Sequence, residues 1–136
     1  MSRYNPDPND SIALDSMTEE GRLHYFLTRA AESEEIWGLS SEAGWVMKEL
    51  DQHTILPVWP YQVFADACAT GDWQAYSPNA ISLEHFVYNT LQLMIEQGIQ
   101  VEIMPTPTKA GKVLNAEELF KLFEGLLDSG EYFMEG

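Results

Sequence analysis

Few residues in this chain have the type and spacing that chemistry needs. His24, His53 and His85 lie far apart in sequence, and His24 has no partner three or four residues away to share a metal-binding helix face. His85 directly follows Glu84, and neighbours on a helix point apart. Only a three-dimensional cluster of histidine and carboxylates would make a metal site from these. Glu34 and Glu35 stand before an apolar run and read as paired carboxylates for acid–base work or as a solvated charge step between a helix and a strand. Cys68 is the only cysteine, so neither an internal disulfide nor a cysteine metal cluster can form. It falls on the apolar stripe of a helix, where a small buried hydrophobe is expected rather than a reactive thiol. The spacing Asp7, Asn9, Ser11 begins like a calcium loop but lacks its glycine and closing glutamate. A glycine-rich phosphate loop and a nucleophile elbow are both missing. The residues therefore assign no catalytic group, no metal site and no cofactor.

One stretch carries a sharper alternative. TILPVWPYQV, residues 54–63, is an apolar run that ends in a tryptophan between two prolines. Pro60 fixes its own φ and lacks an N–H, which suits a helix start, and it pushes Trp59 into extended backbone. A strand should end at Trp59 and a helix begin at once. A second strand, from Ile99 to Met104, runs into Pro105 and Pro107. If these two strands are neighbours joined through helices, they are parallel by the crossover rule, with their carboxyl ends side by side. Ligands of open α/β sheets bind at that edge. Trp59 and Tyr61 would then face Thr106 and Thr108 across a crevice. The competing reading makes Trp59 a core or lid residue that seals the sheet end.

The elements that position these residues follow from periodicity. Ser16 and Glu19 read as a capping box, followed by Leu23, Phe26, Leu27, Ala30 and Ala31 on one buried helix face, with Arg22 and Arg29 pointing elsewhere. Ile36 to Leu39 and Trp45 to Met47 read as a hairpin around a loop longer than two residues, with Trp37 and Trp45 on one face. Thr54 to Val58 forms a third strand. A helix with Val63, Phe64, Ala67 and Cys68 inward ends at Gly71, and GDWQAYSPNA is a loop anchored by Trp73 and Tyr76. Ser82 caps a long helix with Leu83, Phe86, Val87, Leu91, Met94 and Ile95 inward, stopped by Gly98. Ile99, Val101 and Ile103 alternate with Gln100 and Glu102 as a half-buried strand. Val113 and Leu114 form a brief strand, and Asn115 with Glu118 caps a last helix with Leu119, Leu122, Phe123 and Leu126 inward. The order α-β-β-β-α-α-β-(β)-α predicts an α+β (mixed α/β) fold, a small mixed sheet of four to five strands with helices packed on it. Residues 1–15 read as a loose arm, 16–128 as one domain, and 129–136 as a frayed tail on which Tyr132 and Phe133 could dock.

The chain has 136 residues, 45% of them hydrophobic, enough for one domain with its own core. Seven Lys and Arg stand against 22 Asp and Glu, a formal charge of -15 spread along the chain. Such a surface repels nucleic-acid backbones and anionic lipid and favours a basic protein partner. The aromatics lack the basic groove that stacking on nucleic acid requires. The N-terminus does not read as a secretory signal and no apolar run approaches transmembrane length, so a cytoplasmic protein is expected.

Taken together, YFLTRAAESEEIWGL, AGW, LPVWP, GDW and IQVEIMPTP resemble the bacterial family of domain of unknown function 2750 (DUF2750), over roughly residues 20–127. That resemblance implies a small cytosolic bacterial protein and carries over no catalytic residues. The order helix, hairpin, LPVW-like strand end, helix, strand ending at proline also looks like the N-terminal domain of the enhanced-serine-sensitivity (SseB-like) family. Three functions follow as expectations. The first is a non-catalytic protein-binding module, with an immunity-type inhibitor of a basic toxin as its sharper version. The second is a small-molecule-binding or enzymatic domain using the crevice near Trp59 and Pro105. The third is a structural subunit with a self-associating apolar patch.

Overall fold

The computed structural model describes residues 17–42, 44–50, 52–107 and 109–129. Its first helix, α1, spans Glu19–Ser33. The helix starts later than Ser16 because Thr18 is the cap, its hydroxyl accepting from the Gly21 N–H at 3.0 Å. Ser16 and the expected N-terminal arm lie outside the described residues, as do Tyr132 and Phe133. Arg22 does not point to solvent; it is only 1% exposed on the inner face of α1.

The α+β class holds. Among the described residues the strands form two small sheets rather than one. The first contains β1 (Glu35–Ser41), β2 (Gly44–Trp45) and β5 (Ser77–Ser82) in the order β2-β1-β5, all antiparallel. The hairpin is tighter than expected, since Ser41 pairs with Gly44. Trp45 does not share a face with Trp37 either, since it pairs with Ser40, three positions further along β1. Its ring lies over Gly38, where an added Cβ would come within 3.0 Å of two ring carbons. Strand β5 arises from SPNAIS, which reads as loop because it is polar and carries Pro78. A proline is tolerated there because β5 is an edge strand.

The second sheet contains β3 (Lys48–Leu50), β4 (His53–Val58), β6 (Gln100–Ile103) and β7 (Lys112–Asn115) in the order β3-β4-β6-β7. As expected, β4 and β6 are parallel neighbours, with Val58 opposite Ile103, while the outer pairs are antiparallel. Leu56, Val58, Val101, Ile103 and Leu114 supply the core from this sheet. The two sheets meet at the strand end singled out in the sequence. Trp37 and Trp59 exchange backbone hydrogen bonds of 2.7 and 2.9 Å.

The helix after Trp59, α2, spans Gln62–Ala67 and is capped by extended Tyr61, so it begins two residues past Pro60. The later start leaves Val63 46% exposed and buries Phe64, Ala65 and Cys68. A short 3-10 turn follows at Gly71–Trp73. The long helix, α3, starts at Leu83–His85 under the Ser82 cap, passes through a π-helical segment at Phe86–Thr90 and ends with Leu91–Gln97. Gly98 closes it at φ 73°, a left-handed conformation that glycine adopts without a Cβ clash. The expected inner face is buried except for Ile95, which is partly exposed. The last helix, α4 (Ala116–Ser129), is capped reciprocally by Asn115 and Glu118. Its Phe123 touches Phe26 of α1 and Phe86 of α3, with ring centroids 5.9 and 6.5 Å apart, so three helices meet on one ring.

Trp59 is fully buried at 0% exposure, and its indole N–H donates to the Pro105 carbonyl at 2.8 Å. Trp59→Ala should therefore cost about 3–5 kcal/mol, the range for large aromatics removed from cores. Urea unfolding of the purified variant checks this; an unchanged midpoint would restore Trp59 to a rim position.

Candidate functional site

The site lies where β4 and β6 end. Side chains alternate along a strand, so Val101 and Ile103 face the core while Glu102 stands on the opposite face. Alternation alone assigns Glu102 to solvent, yet it is 1% exposed. The segments that follow α2 and β6 fold over that face and cover it. Sequence reasoning missed this because the cover comes from other segments, which the periodicity of β6 alone does not show.

A buried carboxylate needs partners. Lys48, on edge strand β3, reaches across β4 and places Nζ 2.5 Å from Glu102 Oε1. This is an ion pair without hydrogen-bond alignment, and Oε1 has no hydrogen-bond partner among the described residues. The other oxygen, Oε2, accepts from the Gly111 N–H at 2.8 Å. Gly111 is fixed at that point by space, since an added Cβ would lie 2.1 Å from the Ile103 carbonyl oxygen. The carboxylate therefore ties together β3, β6 and the start of β7.

The segment between β6 and β7 is held at several points. Met104 leaves the strand at φ 52°, left-handed backbone that a non-glycine residue adopts at a cost. Arg22 Nη1 donates to the carbonyls of Met104 and Ala110 at 3.1 and 3.2 Å, clamping both ends of the loop. The second guanidinium nitrogen, Nη2, is buried without a hydrogen-bond partner among the described residues. Thr106 and Lys109 exchange backbone bonds of 2.8 and 3.2 Å, a miniature hairpin. The Pro105 carbonyl accepts twice, from the Trp59 indole and from the Cys68 thiol at 3.2 Å.

These pieces enclose a cleft of about 420 Å³, lined chiefly by Lys48, Cys68, Thr70, Trp73, Glu102 and Thr106 and edged by Pro105, Pro107, Lys109 and Ala110. Of the four residues expected at the crevice, Thr106 lines it. Trp59 and Tyr61 are buried, so Trp59 supports the loop from beneath instead of standing at the rim. Thr108 lies outside the described residues. Lys48, Glu102 and Cys68, which also line the cleft, were not legible as its members. Lys48 and Glu102 are 54 residues apart in number (102 − 48), and only the sheet order joins them.

The remaining candidates disperse. His24, His53 and His85 are exposed on three different elements, and among the described residues no three His, Cys, Asp or Glu side chains are grouped to hold a metal ion. Glu34 is the left-handed C-cap of α1 through its backbone N–H, and the Glu35 carboxylate accepts from the Trp37 indole at 3.2 Å. Burial pushes the Cys68 thiol up to about 11; Glu102 adds to the shift and Lys48 opposes it. At neutral pH the thiol is protonated and weakly nucleophilic. Among the described residues no helix is long and apolar enough to cross a membrane.

The fold and the cleft define a small α+β protein with a polar crevice at the carboxyl ends of a parallel strand pair. The chain belongs to the family described as Protein of unknown function (DUF2750), which it matches over residues 23–122. Comparison with curated proteins and with solved structures finds no match.

Two outcomes follow from the buried charges. Lys48→Met strands the Glu102 carboxylate, whereas Glu102→Gln leaves Lys48, 35% exposed, free to turn to water. The first should cost about 1–3 kcal/mol and more than the second, with the double variant recovering part of the loss. Urea midpoints of the three variants test that order. For Cys68, a folded-state pKa raised from about 9 to about 11 means that folding favours the protonated thiol. Its contribution is fully present below about pH 9 and is lost as pH rises through about 11. Stability should therefore fall less steeply in that window for Cys68→Ala than for the wild type, as read from unfolding midpoints at stepped pH.

Proposed function

We propose that this protein binds a small molecule in the cleft between Lys48, Cys68, Trp73 and Thr106, and that the family's activity is exercised there. The observation that carries the reading is the buried Glu102–Lys48 pair opening onto a cleft of about 420 Å³ at the strand ends. That volume lies within the range of small-molecule sites, about 300–1,000 Å³, and the cleft sets Lys48, Glu102 and Thr106 beside the apolar Trp73, Pro105 and Pro107. Strained backbone at Met104 beside the cleft supports the same reading, because such strain gathers at ligand sites. The reading includes binding without covalent chemistry at Cys68, whose protonated thiol favours a passive wall. It also includes a cytoplasmic setting, in keeping with an acidic chain whose single cysteine is buried and unpaired.

A basic protein partner is the second reading, favoured by the charge of -15. A screen of neutral fragments by heteronuclear NMR separates the two. Cleft binding should move the backbone amides of Thr70 and Thr106 and the Trp73 indole together. Fragments that leave those signals fixed throughout the set would remove the small-molecule reading and leave the partner surface.

A further inference from the structure

The charge around the cleft runs against the charge of the molecule. The chain holds only seven Lys and Arg, yet Lys48 and Lys109 line this cleft and Arg22 stands behind its loop. Among the described lining residues Glu102 is the acidic side chain, and Lys48 already faces it. The Lys48 ammonium carries three donors, and its ion pair among the described residues is with Glu102. Its side chain is 35% exposed, so the remaining donors can be reached from the cleft. Behind the loop, Arg22 is 1% exposed and bonds only carbonyl oxygens, leaving a buried positive charge with no carboxylate against it among the described residues. An uncompensated buried cation favours a nearby anion.

We infer that the cleft recognises a carboxylate, held at the Lys48 ammonium, on a small molecule whose apolar body lies against Trp73, Pro105 and Pro107. This rests on the small-molecule reading above and names the ligand's class. One feature favours a carboxylate over a phosphate: a dianion at Lys48 would meet more repulsion from the Glu102 carboxylate that already shares that ammonium. The half-buried Trp73 and the two prolines give an apolar wall suited to an aryl or alkyl body.

Benzoate, its neutral analogue benzamide, and inorganic phosphate are the probes, titrated into the full chain with affinity and position read by heteronuclear NMR. Benzoate should bind about tenfold or more tightly than benzamide, the ratio expected from one charge-assisted hydrogen bond. It should shift Thr70 and the Trp73 indole. Because Lys48→Met weakens the fold through the stranded Glu102, Lys48→Met/Glu102→Gln is measured beside it, and in both the ratio should fall to about one. Equal binding of benzoate and benzamide would overturn the carboxylate and leave the cleft a small-molecule site. Tighter phosphate binding would overturn the choice of anion. A preference that survives in the double variant would remove Lys48 as the contact. Binding of none of the three overturns the inference, while the small-molecule reading is decided separately by the neutral fragments.

Discussion

A carboxylate in the middle of a parallel strand, sealed from water, sets the terms for everything around it. Glu102 could not remain charged there without a cation and a backbone donor. The cation comes from far along the chain, Lys48 on edge strand β3, and the donor from Gly111, nine residues on and just before β7. Meeting that need fixes the spacing of β3 from β6 and draws the 104–111 segment tightly back over the sheet. A hydrophobic residue of similar size would cover the same area with less desolvation cost. Retaining the ion pair instead leaves polar groups at the floor of an opening, which is the property that separates this cleft from an ordinary packed strand end.

The second support is a single carbonyl. Pro105 has no N–H, so its oxygen is its one backbone hydrogen-bonding group, and it receives both the Trp59 indole and the Cys68 thiol. The tryptophan between prolines thus has one physical role with two consequences. It closes the core beneath the strand ends and gives the loop above it a fixed floor. Arg22 does the same from the side, gripping the carbonyls at either end of that loop. A loop held by two side-chain clamps and a miniature hairpin is closer to a preorganised wall than to a flexible connection, and preorganisation is what lets a small cleft bind without a large ordering cost.

Much of this was legible in the sequence. Both strands are legible, the apolar run to Val58 and the alternating run to Met104, and their parallel sense follows from the helices between them once they are neighbours, which the structure shows. The Ser82 and Asn115 caps and the Gly98 stop follow from local side-chain chemistry, which works over a few residues and needs no tertiary knowledge. The failures share a cause. Glu102 and Arg22 look solvent-facing on any periodicity that treats their own element alone, because the atoms that bury them belong to other segments. SPNAIS lacks the apolar alternation of a strand because β5 is an exposed edge whose pairing is decided by β1. The crevice's place was readable from topology, whereas its chemistry depended on which distant cations the sheet order delivers.

The parallel register has a kinetic consequence. Val58 and Ile103 lie side by side although 45 positions separate them (103 − 58). The intervening chain must be gathered before their pairing is rewarded, and such non-local closure is slow compared with hairpins and helices. During synthesis Lys48, Trp59 and Cys68 all emerge before the strand that unites them. The β1–β2 hairpin and α3 can form from local contacts, but the cleft comes into being only when β6 pairs with β4. A molecule that recognises the cleft would therefore meet it only in chains whose β4 and β6 have paired, so its binding would report that long-range step as well as occupancy.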